Sequence, residues 1–397
     1  MITDHNLAQL DDIIRPYFAI EEITYGDTKQ PFVTRYRGQI IGADSQECHR
    51  QLMQALQPEN LVALLRKEEG RINLYLLPAP EKKKDPRTSL NLILFLLTLV
   101  SVLVTGGLYG YESQTPQEPL QLAISLMRNG WPFALTLLAI LGAHEFGHYF
   151  AGRKHGVQVT LPYFIPFPLS LFGTMGAFIN MRSLPNNKRS LFDLAITGPL
   201  SGLIVSVIAL VIGLNLSQIQ ALPLASSGGG LQMEGNSLLY LFIKYLTFGA
   251  WLPQPSGLSE AGLGMYWLRY FFTGQPFPWG ALDVMLHPVA WAGWAGLFVT
   301  GINLIPAGQL DGGHIFQTLF GVKSARTLFP VVVGGLVMLG FFSNMWWLWA
   351  LLIFLFGRRY AEPLDQITEL DGKRKLLGYL ALLIFLLTFI PAPITIT

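Results

Sequence analysis

The chain has 397 residues, of which 51% are hydrophobic and 13% charged, and its formal net charge is +2. This balance favours a membrane protein over an array of soluble domains. The near-neutral charge excludes a strongly basic face, so no nucleic-acid partner is expected. Cys48 is the only cysteine, which excludes an intrachain disulfide and a cysteine-rich metal site. Any metal must therefore be held by histidine and carboxylate side chains.

Residues 1–85 carry mixed charge and contain no apolar run long enough to cross a bilayer, so we expect a small soluble α+β domain there. The pattern predicts a helix over 45–57 and two strands within 61–77 that meet in a turn at Gly70. The first twelve residues are polar and acidic. We therefore expect no cleavable signal peptide and a cytoplasmic N-terminus.

Residues 86–397 contain repeated apolar runs of the length that a hydrocarbon core about 30 Å thick requires. We predict a polytopic α-helical membrane protein with about seven spans. The predicted spans are residues 89–109, 131–152, 191–214, 286–303, 326–342, 345–357 and 376–392. Basic residues at 81–87 and after alternate spans favour one cytoplasmic side throughout. The pair within 326–357 is short for two crossings and could instead be a hairpin that enters and leaves on one side, which would flip the last span.

Two apolar stretches do not have the pattern of spanning helices. Residues 157–182 combine proline and glycine with aromatic and β-branched residues, which predicts a re-entrant or interfacial segment with strand character that lines a protein cavity. Residues 215–285 form a long predicted external segment, with a flexible linker at 226–230 and amphiphilic pieces that could lie on the membrane surface.

The sequence HEFGH within the second predicted span carries the strongest chemical signal. His144 and His148 are four residues apart, so both imidazoles project from one helical face and can bind one Zn²⁺. Glu145 can reach a water on the same metal and act as general base, then as general acid. Ionisable residues within a membrane cost about 2.5 to 3.5 kcal/mol each on insertion scales, which argues against a purely structural role.

Catalytic zinc keeps three protein ligands, so a third must come from elsewhere in the chain. The candidates at membrane depth are Asp193, His287, Asp311 and His314. Asp311 follows a predicted helix break at Pro306 and is expected at the depth of His148. Asp193 and His287 have weaker claims, and His314 is better explained as a polar partner near Asp311.

The HEFGH motif and a later N-x-x-P-x-x-x-x-D-G motif together resemble the site-2 protease family of intramembrane zinc metalloproteases. Further motifs resemble its EGY-type branch of cyanobacteria and plastids. These motifs are GTMGAFI at 173–179, TGPLSG at 197–202 and NLIPAGQLDGGH at 303–314. The resemblance extends over the predicted core of the protease domain, residues 130–320.

The resemblance implies that His144, His148 and Asp311 are the metal ligands and that Glu145 is the catalytic acid and base. It also implies that Asn303 is a polar residue near the substrate carbonyl, where an amide donor would stabilise a developing oxyanion. Alternatively, Asn303 bonds carbonyls freed by the adjacent helix break. All five positions are intact, whereas the branch includes members that lack the HExxH motif.

The GTMGAFI stretch suggests how a substrate is held. A helix cannot be cleaved while its carbonyl groups are engaged in its own hydrogen bonds, so a substrate must be drawn out as an extended strand. An edge strand within 173–181 could pair with it. The predicted substrate-binding residues are Gly173, Thr174, Met175, Gly176, Ala177, Phe178 and Ile179.

Together, these features predict an intramembrane zinc metalloendopeptidase that cuts the transmembrane segments of other membrane proteins, using zinc-activated water. Its expected partners are transmembrane protein substrates and the lipid bilayer, and no oligomeric state is indicated. We expect a multi-pass protein, in the plasma or thylakoid membrane if the source is cyanobacterial.

Two other functions fit parts of the pattern. A catalytically inactive relative could bind or chaperone membrane proteins through the same scaffold, although the intact ligand set argues against it. An ion-coupled transporter would also use broken, glycine-rich spans with midplane charges. It should show an internal repeat, and the HEFGH segment has no second copy.

Overall fold

A small sheet with two helices forms the N-terminal part of the chain. The computed structural model describes residues 4–26, 32–42, 44–80, 88–109, 118–222, 232–255, 260–274 and 282–396. The N-terminal elements are α1 (Asp4–Ile14), β1 (Phe18–Tyr25), β2 (Thr34–Ile40), α2 (Ser45–Leu56), β3 (Leu61–Glu68) and β4 (Arg71–Pro78). The strands pair antiparallel in the order β1-β2-β4-β3. The predicted helix over 45–57 and the two strands within 61–77 are confirmed.

The rest of the chain is mainly helical. Its helices are α3 (Thr88–Tyr109), α4 (Pro119–Lys154), α5 (Lys188–Asn215), α6 (Leu238–Phe248), α7 (Glu260–Thr273), α8 (Pro288–Asn303), α9 (Asp311–Gly340), α10 (Met345–Phe356) and α11 (Gly372–Thr388). Its strands are β5 (Tyr163–Pro166), β6 (Thr174–Phe178), β7 (Gln218–Ala221), β8 (Gln232–Glu234), β9 (Leu282–Met285) and β10 (Ile394–Ile396). A buried core around Phe133, Trp294 and Leu297 joins α4, α5 and α8.

Each predicted span falls on a helix, but the lengths differ. Within the described ranges, four helices are long and apolar enough to cross a membrane, namely α3, α4, α5 and α9. Helices α8, α10 and α11 have 16, 12 and 17 residues and fall short of that length. Helix α4 begins well before the predicted residue 131, and α9 is interrupted at Gly321, whose φ is 87°.

The segment between α4 and α5 contains the expected strand character. Strands β5 and β6 pair antiparallel, with Tyr163 opposite Phe178 and Phe164 opposite Ala177. The hairpin packs on α3, where the Ser101 hydroxyl donates a 2.5 Å hydrogen bond to the carbonyl of Gly173.

The segment after α5 folds over the end of α8. Strand β7 pairs with β9, and β8 pairs with β10 at the C-terminus. The fully buried ammonium of Lys244 lies 4.0 Å from Asp283 Oδ1, and the Tyr240 hydroxyl donates to Glu234. Burial and the nearby charge of Asp283 raise the pKa of Glu234 above its usual range. The predicted linker at 226–230 lies outside the described residues, as do the basic residues at 81–87.

The N-terminal sheet is attached to the helical part through an extended segment at 364–366. The amide of Leu65 in β3 donates to the carbonyl of Leu364, and the amide of Gln366 donates back to Leu65. The same segment also donates to carbonyls at Pro185 and Asn186, just before α5. The edge of β3 is therefore covered at this point by the chain that follows α10.

Helices α4 and α5 approach closely because small residues lie between them. A Cβ built at Gly147 of α4 would lie 2.6 Å from the carbonyl oxygen of Thr197 and 2.3 Å from Ser201 Oγ. The Ser201 hydroxyl donates to the carbonyl of Ala143 across the same interface. Small residues let helix backbones touch in a membrane, and Thr197 and Ser201 at this contact belong to the TGPLSG motif.

We predict that Gly147→Ala lowers the free energy of unfolding by about 1 to 3 kcal/mol, because the new methyl group must push the α5 backbone away. The matched control is Gly142→Ala on the same helix, where an added Cβ meets nothing within 4 Å. The measurement is the denaturant midpoint of the purified chain in detergent. Equal midpoints for the two variants would refute the close α4–α5 contact.

Candidate metal centre

Two histidines of α4 face the interior of the helical part. His144 and His148 are four residues apart on the helix and are 4% and 9% exposed. Their Nε2 atoms are 3.1 Å apart. Both imidazoles therefore lie on one face of the helix, as the spacing of the two histidines predicts.

Asp311 reaches the same point from the first turn of α9. Helix α8 ends at Asn303, and a tight turn leads to Asp311. Gly308 in that turn has a φ of 53°, and a Cβ at Gly312 would lie 2.0 Å from the carbonyl oxygen of Leu304. Because only glycine fits these positions, the chain can turn sharply and present Asp311 beside α4.

The three side chains converge on one point. Asp311 Oδ2 lies 3.4 Å from His144 Nε2 and 3.4 Å from His148 Nε2. Ligand atoms around a tetrahedral zinc with bonds of about 2.0 to 2.1 Å are roughly 3.3 Å apart. The separations of 3.1, 3.4 and 3.4 Å therefore fit a zinc ion. Within the described part of the chain this is the one such group of histidine, cysteine and acidic side chains.

The orientation of His148 is fixed from α5. Its Nδ1 lies 2.6 Å from the carbonyl oxygen of Leu194, so Nδ1–H donates and Nε2 is left with its lone pair toward Asp311. A Cβ at Gly198, one turn further along α5, would lie 2.0 Å from His148 Nε2. Both contacts require α5 to lie directly against the ring.

An ion-pair network next to Leu194 was not apparent from the sequence. Asp193 accepts hydrogen bonds from Arg374 at 2.8 and 2.6 Å and from His155 at 2.8 Å. These bonds join the start of α5 to α11 and to the end of α4. Asp193, one of the candidate third ligands, thus binds Arg374 and His155 and not the two histidines at the metal centre.

The remaining candidates occupy different places. His287 caps the far end of α8, where its Nδ1 accepts from the amide of Val289. That end is about 24 Å from Asn303 along the helix. His314 lies on the wall of the cavity beside Asp311, and its Nδ1 has no hydrogen-bond partner among the described residues.

A cavity of about 230 Å³ opens beside the three side chains. Glu145 lines it and is 6% exposed. Ile179, which follows β6, lines the same cavity. Asn303 also lines the cavity, with its Nδ2 3.3 Å from His144 Nε2. A carboxylate and an amide side chain therefore lie beside the point where the three side chains converge.

Only part of the GTMGAFI stretch lines this cavity. The lining includes Ala177, Phe178 and Ile179, and also Met181, which the sequence analysis did not predict. Gly173 instead packs against α3, where a Cβ would lie 2.8 Å from the carbonyl oxygen of Ser101. Residues 174–176 also lie outside the lining of the cavity.

Comparison with known proteins gives several relatives. The model of Peptidase family M50 matches residues 132–346, more than half of the chain. Probable zinc metalloprotease EGY2, chloroplastic, of Arabidopsis thaliana is 31% identical over 280 residues, which cover 69% of this chain and 44% of that protein. Probable zinc metalloprotease EGY1, chloroplastic, of Arabidopsis thaliana is 30% identical over 317 residues, which cover 76% of this chain and 52% of that protein. Probable zinc metalloprotease EGY3, chloroplastic, of Oryza sativa subsp. japonica is 27% identical over 269 residues, which cover 66% of this chain and 42% of that protein.

The chain spans about half the length of the curated relatives it matches. No solved structure matches it. The matched residues 132–346 contain the two histidines of α4, Asp311 and the whole lining of the cavity. The matched family and the apolar helices together indicate association with a membrane. The chain belongs to peptidase family M50, the family of the site-2 proteases.

Proposed function

We propose that the protein is an intramembrane zinc metalloendopeptidase that cleaves transmembrane segments of other membrane proteins. The observation that carries this proposal is the convergence of His144, His148 and Asp311 at 3.1 to 3.4 Å, with Glu145 on the wall of the same buried cavity. An inactive scaffold would not require an acid–base residue beside a complete ligand set.

In the proposed reaction, His144, His148 and Asp311 hold the zinc ion. Zinc in this position would act as a Lewis acid toward the substrate carbonyl and activate water for attack. Glu145 takes the proton from the attacking water and passes it to the leaving amine. The Asn303 amide donates to the carbonyl oxygen as negative charge develops on it. No covalent bond between enzyme and substrate is needed.

We further propose that the substrate is held as a strand along β6. Ala177 and Ile179 both line the cavity beside the three metal-binding side chains. The backbone groups of residues two apart on a strand point the same way. Ala177 and Ile179 could then donate to and accept from an extended substrate that passes the zinc site.

We assign residues 1–85 to a cytoplasmic domain and residues 86–397 to a membrane protease domain that crosses the bilayer about seven times. Helix α2 faces the ends of α4 and α5 across a cavity of about 960 Å³, and Arg189 donates to Gln46. The N-terminal sheet would then border the route to the site, and the β7–β9 pair, which lies next to His287, would be at the other end of α8. Deletion of residues 1–85 or of residues 215–285 should widen the range of substrates, and an unchanged range would dismiss this role.

We predict that Glu145→Gln keeps about one zinc per chain and loses cleavage by a factor of about 10² to 10⁴, because the proton carrier is removed while the ligands stay. Asp311→Ala should lose both zinc and cleavage. The measurements are zinc content and cutting of a single-span substrate by the purified chain in detergent.

The matched control is His287→Ala, which removes a histidine from the far end of α8 and should leave zinc and cleavage at the parental level. If the parent holds no zinc, or if Glu145→Gln cuts as fast as the parent, a binding scaffold or a transporter replaces the protease as the explanation.

We also predict that Ala177→Pro lowers cleavage at least tenfold without loss of zinc, because proline removes the amide that would pair with the substrate. Met175→Pro is the control, since Met175 lies on the same strand, is 65% exposed and does not line the cavity. Rates are compared at equal zinc loading. Unchanged cleavage by Ala177→Pro would refute strand pairing.

A further inference from the structure

A second groove lies away from the metal centre, on the surface of the hairpin formed by α9 and α10. It has a volume of about 590 Å³. One wall is a single face of α9, with residues at helical spacing, and the other is the end of α10 with the residues that follow it. The lining residues are Arg326, Phe329, Pro330, Val333, Gly334, Phe354, Arg358 and Tyr360.

The two arginines lie at the same end of this groove. Helices α9 and α10 run antiparallel and are joined by a short turn, so Arg326 at the middle of α9 is brought beside Arg358 just after α10. The Arg358 guanidinium lies over the ring of Phe354, at 4.3 Å from its centroid. The Tyr360 hydroxyl donates to the carbonyl of Ala325 and ties the chain after α10 to α9.

Neither guanidinium has an acidic partner within the described residues. Every ion pair of the described chain involves other residues. Two positive charges at one end of the groove are therefore available to bind an anion. Arginine is well suited to phosphate, which it can bind through two parallel hydrogen bonds.

The rest of the groove is apolar. It extends about 12 Å along α9 from Arg326 to Gly334. A Cβ at Gly334 would meet nothing within 4 Å, so the absence of a side chain leaves this space open. Phe354 is 43% exposed on the opposite wall. Helix α9 is long and apolar enough to cross a membrane, and in a spanning α9 this exposed surface would face hydrocarbon.

We propose that this groove is a binding site for one anionic phospholipid, with its phosphate between Arg326 and Arg358 and an acyl chain along Val333, Gly334 and Phe354. Charge complementarity selects the headgroup, and the open apolar channel selects a lipid over a free anion. Basic pockets between membrane helices on the cytoplasmic side bind anionic headgroups in this manner. The site is independent of the proposed protease activity.

The test uses the full-length chain, equilibrated with vesicles of equal parts phosphatidylcholine and phosphatidylglycerol and then analysed for retained lipid by native mass spectrometry. The parent should retain phosphatidylglycerol over phosphatidylcholine by about tenfold or more, since both arginines attract the net negative charge of phosphatidylglycerol. Arg326→Gln combined with Arg358→Gln should abolish this preference.

Two controls distinguish binding of the lipid in the groove from general attraction of anionic lipid to positively charged side chains. Lys323→Gln combined with Arg359→Gln removes the same charge from residues outside the groove and should keep the preference. Gly334→Trp fills the channel but keeps both arginines, and it should lose the lipid, whereas Gly335→Trp on the neighbouring face should retain it. Equal loss in both charge variants, or retention by Gly334→Trp, would overturn the proposal.

Discussion

The structure depends on one electrostatic constraint, the convergence of two imidazole lone pairs and a carboxylate inside an apolar helical core. Asp311 lies 3.4 Å from both histidines, which are themselves 3.1 Å apart. Groups with negative potential repel one another in a medium of low dielectric constant, and a bound cation turns this repulsion into attraction. Close α4–α5 packing and the glycine-rich turn before α9 are the two features that hold the donors there. A change in the turn would move Asp311 away from α4, and a change in the α4–α5 packing would remove the Leu194 carbonyl from the His148 ring.

The same geometry explains why the surroundings of the site are not regular helix. Water and an extended peptide have to reach a point that helices would otherwise enclose, and backbone without a helical partner is tolerated at membrane depth only beside protein or a cavity. The β5–β6 hairpin satisfies this condition, because its two strands pair with each other and Ala177 and Phe178 of β6 line the cavity. Glu145 lines the same cavity as Ala177 and Ile179. In the proposed reaction, the residues that position the substrate are therefore neighbours of the residue that carries the proton.

Local patterns in the sequence predicted the parts of the fold that depend on local periodicity. The spacing of His144 and His148 placed them on one face, and the proline and glycine around Asp311 indicated the break that brings it to them. Helix ends were less predictable: α4 begins at Pro119 because helix continues through polar residues that a hydropathy criterion excludes. The bonds between Arg374 and Asp193 join residues 181 positions apart, and no local pattern encodes such a pairing.

Zinc-edge X-ray absorption on the purified full-length chain tests the proposed ligand set directly. The proposed centre should give two imidazole nitrogens at about 2.0 to 2.1 Å, and its other ligands should be oxygen atoms from Asp311 and solvent. We also predict that Asp311→Asn weakens zinc binding while leaving both imidazoles as ligands of any zinc that remains. A third imidazole, which would place His314 on the metal, or a sulfur ligand, which would implicate Cys48, would contradict the proposed centre.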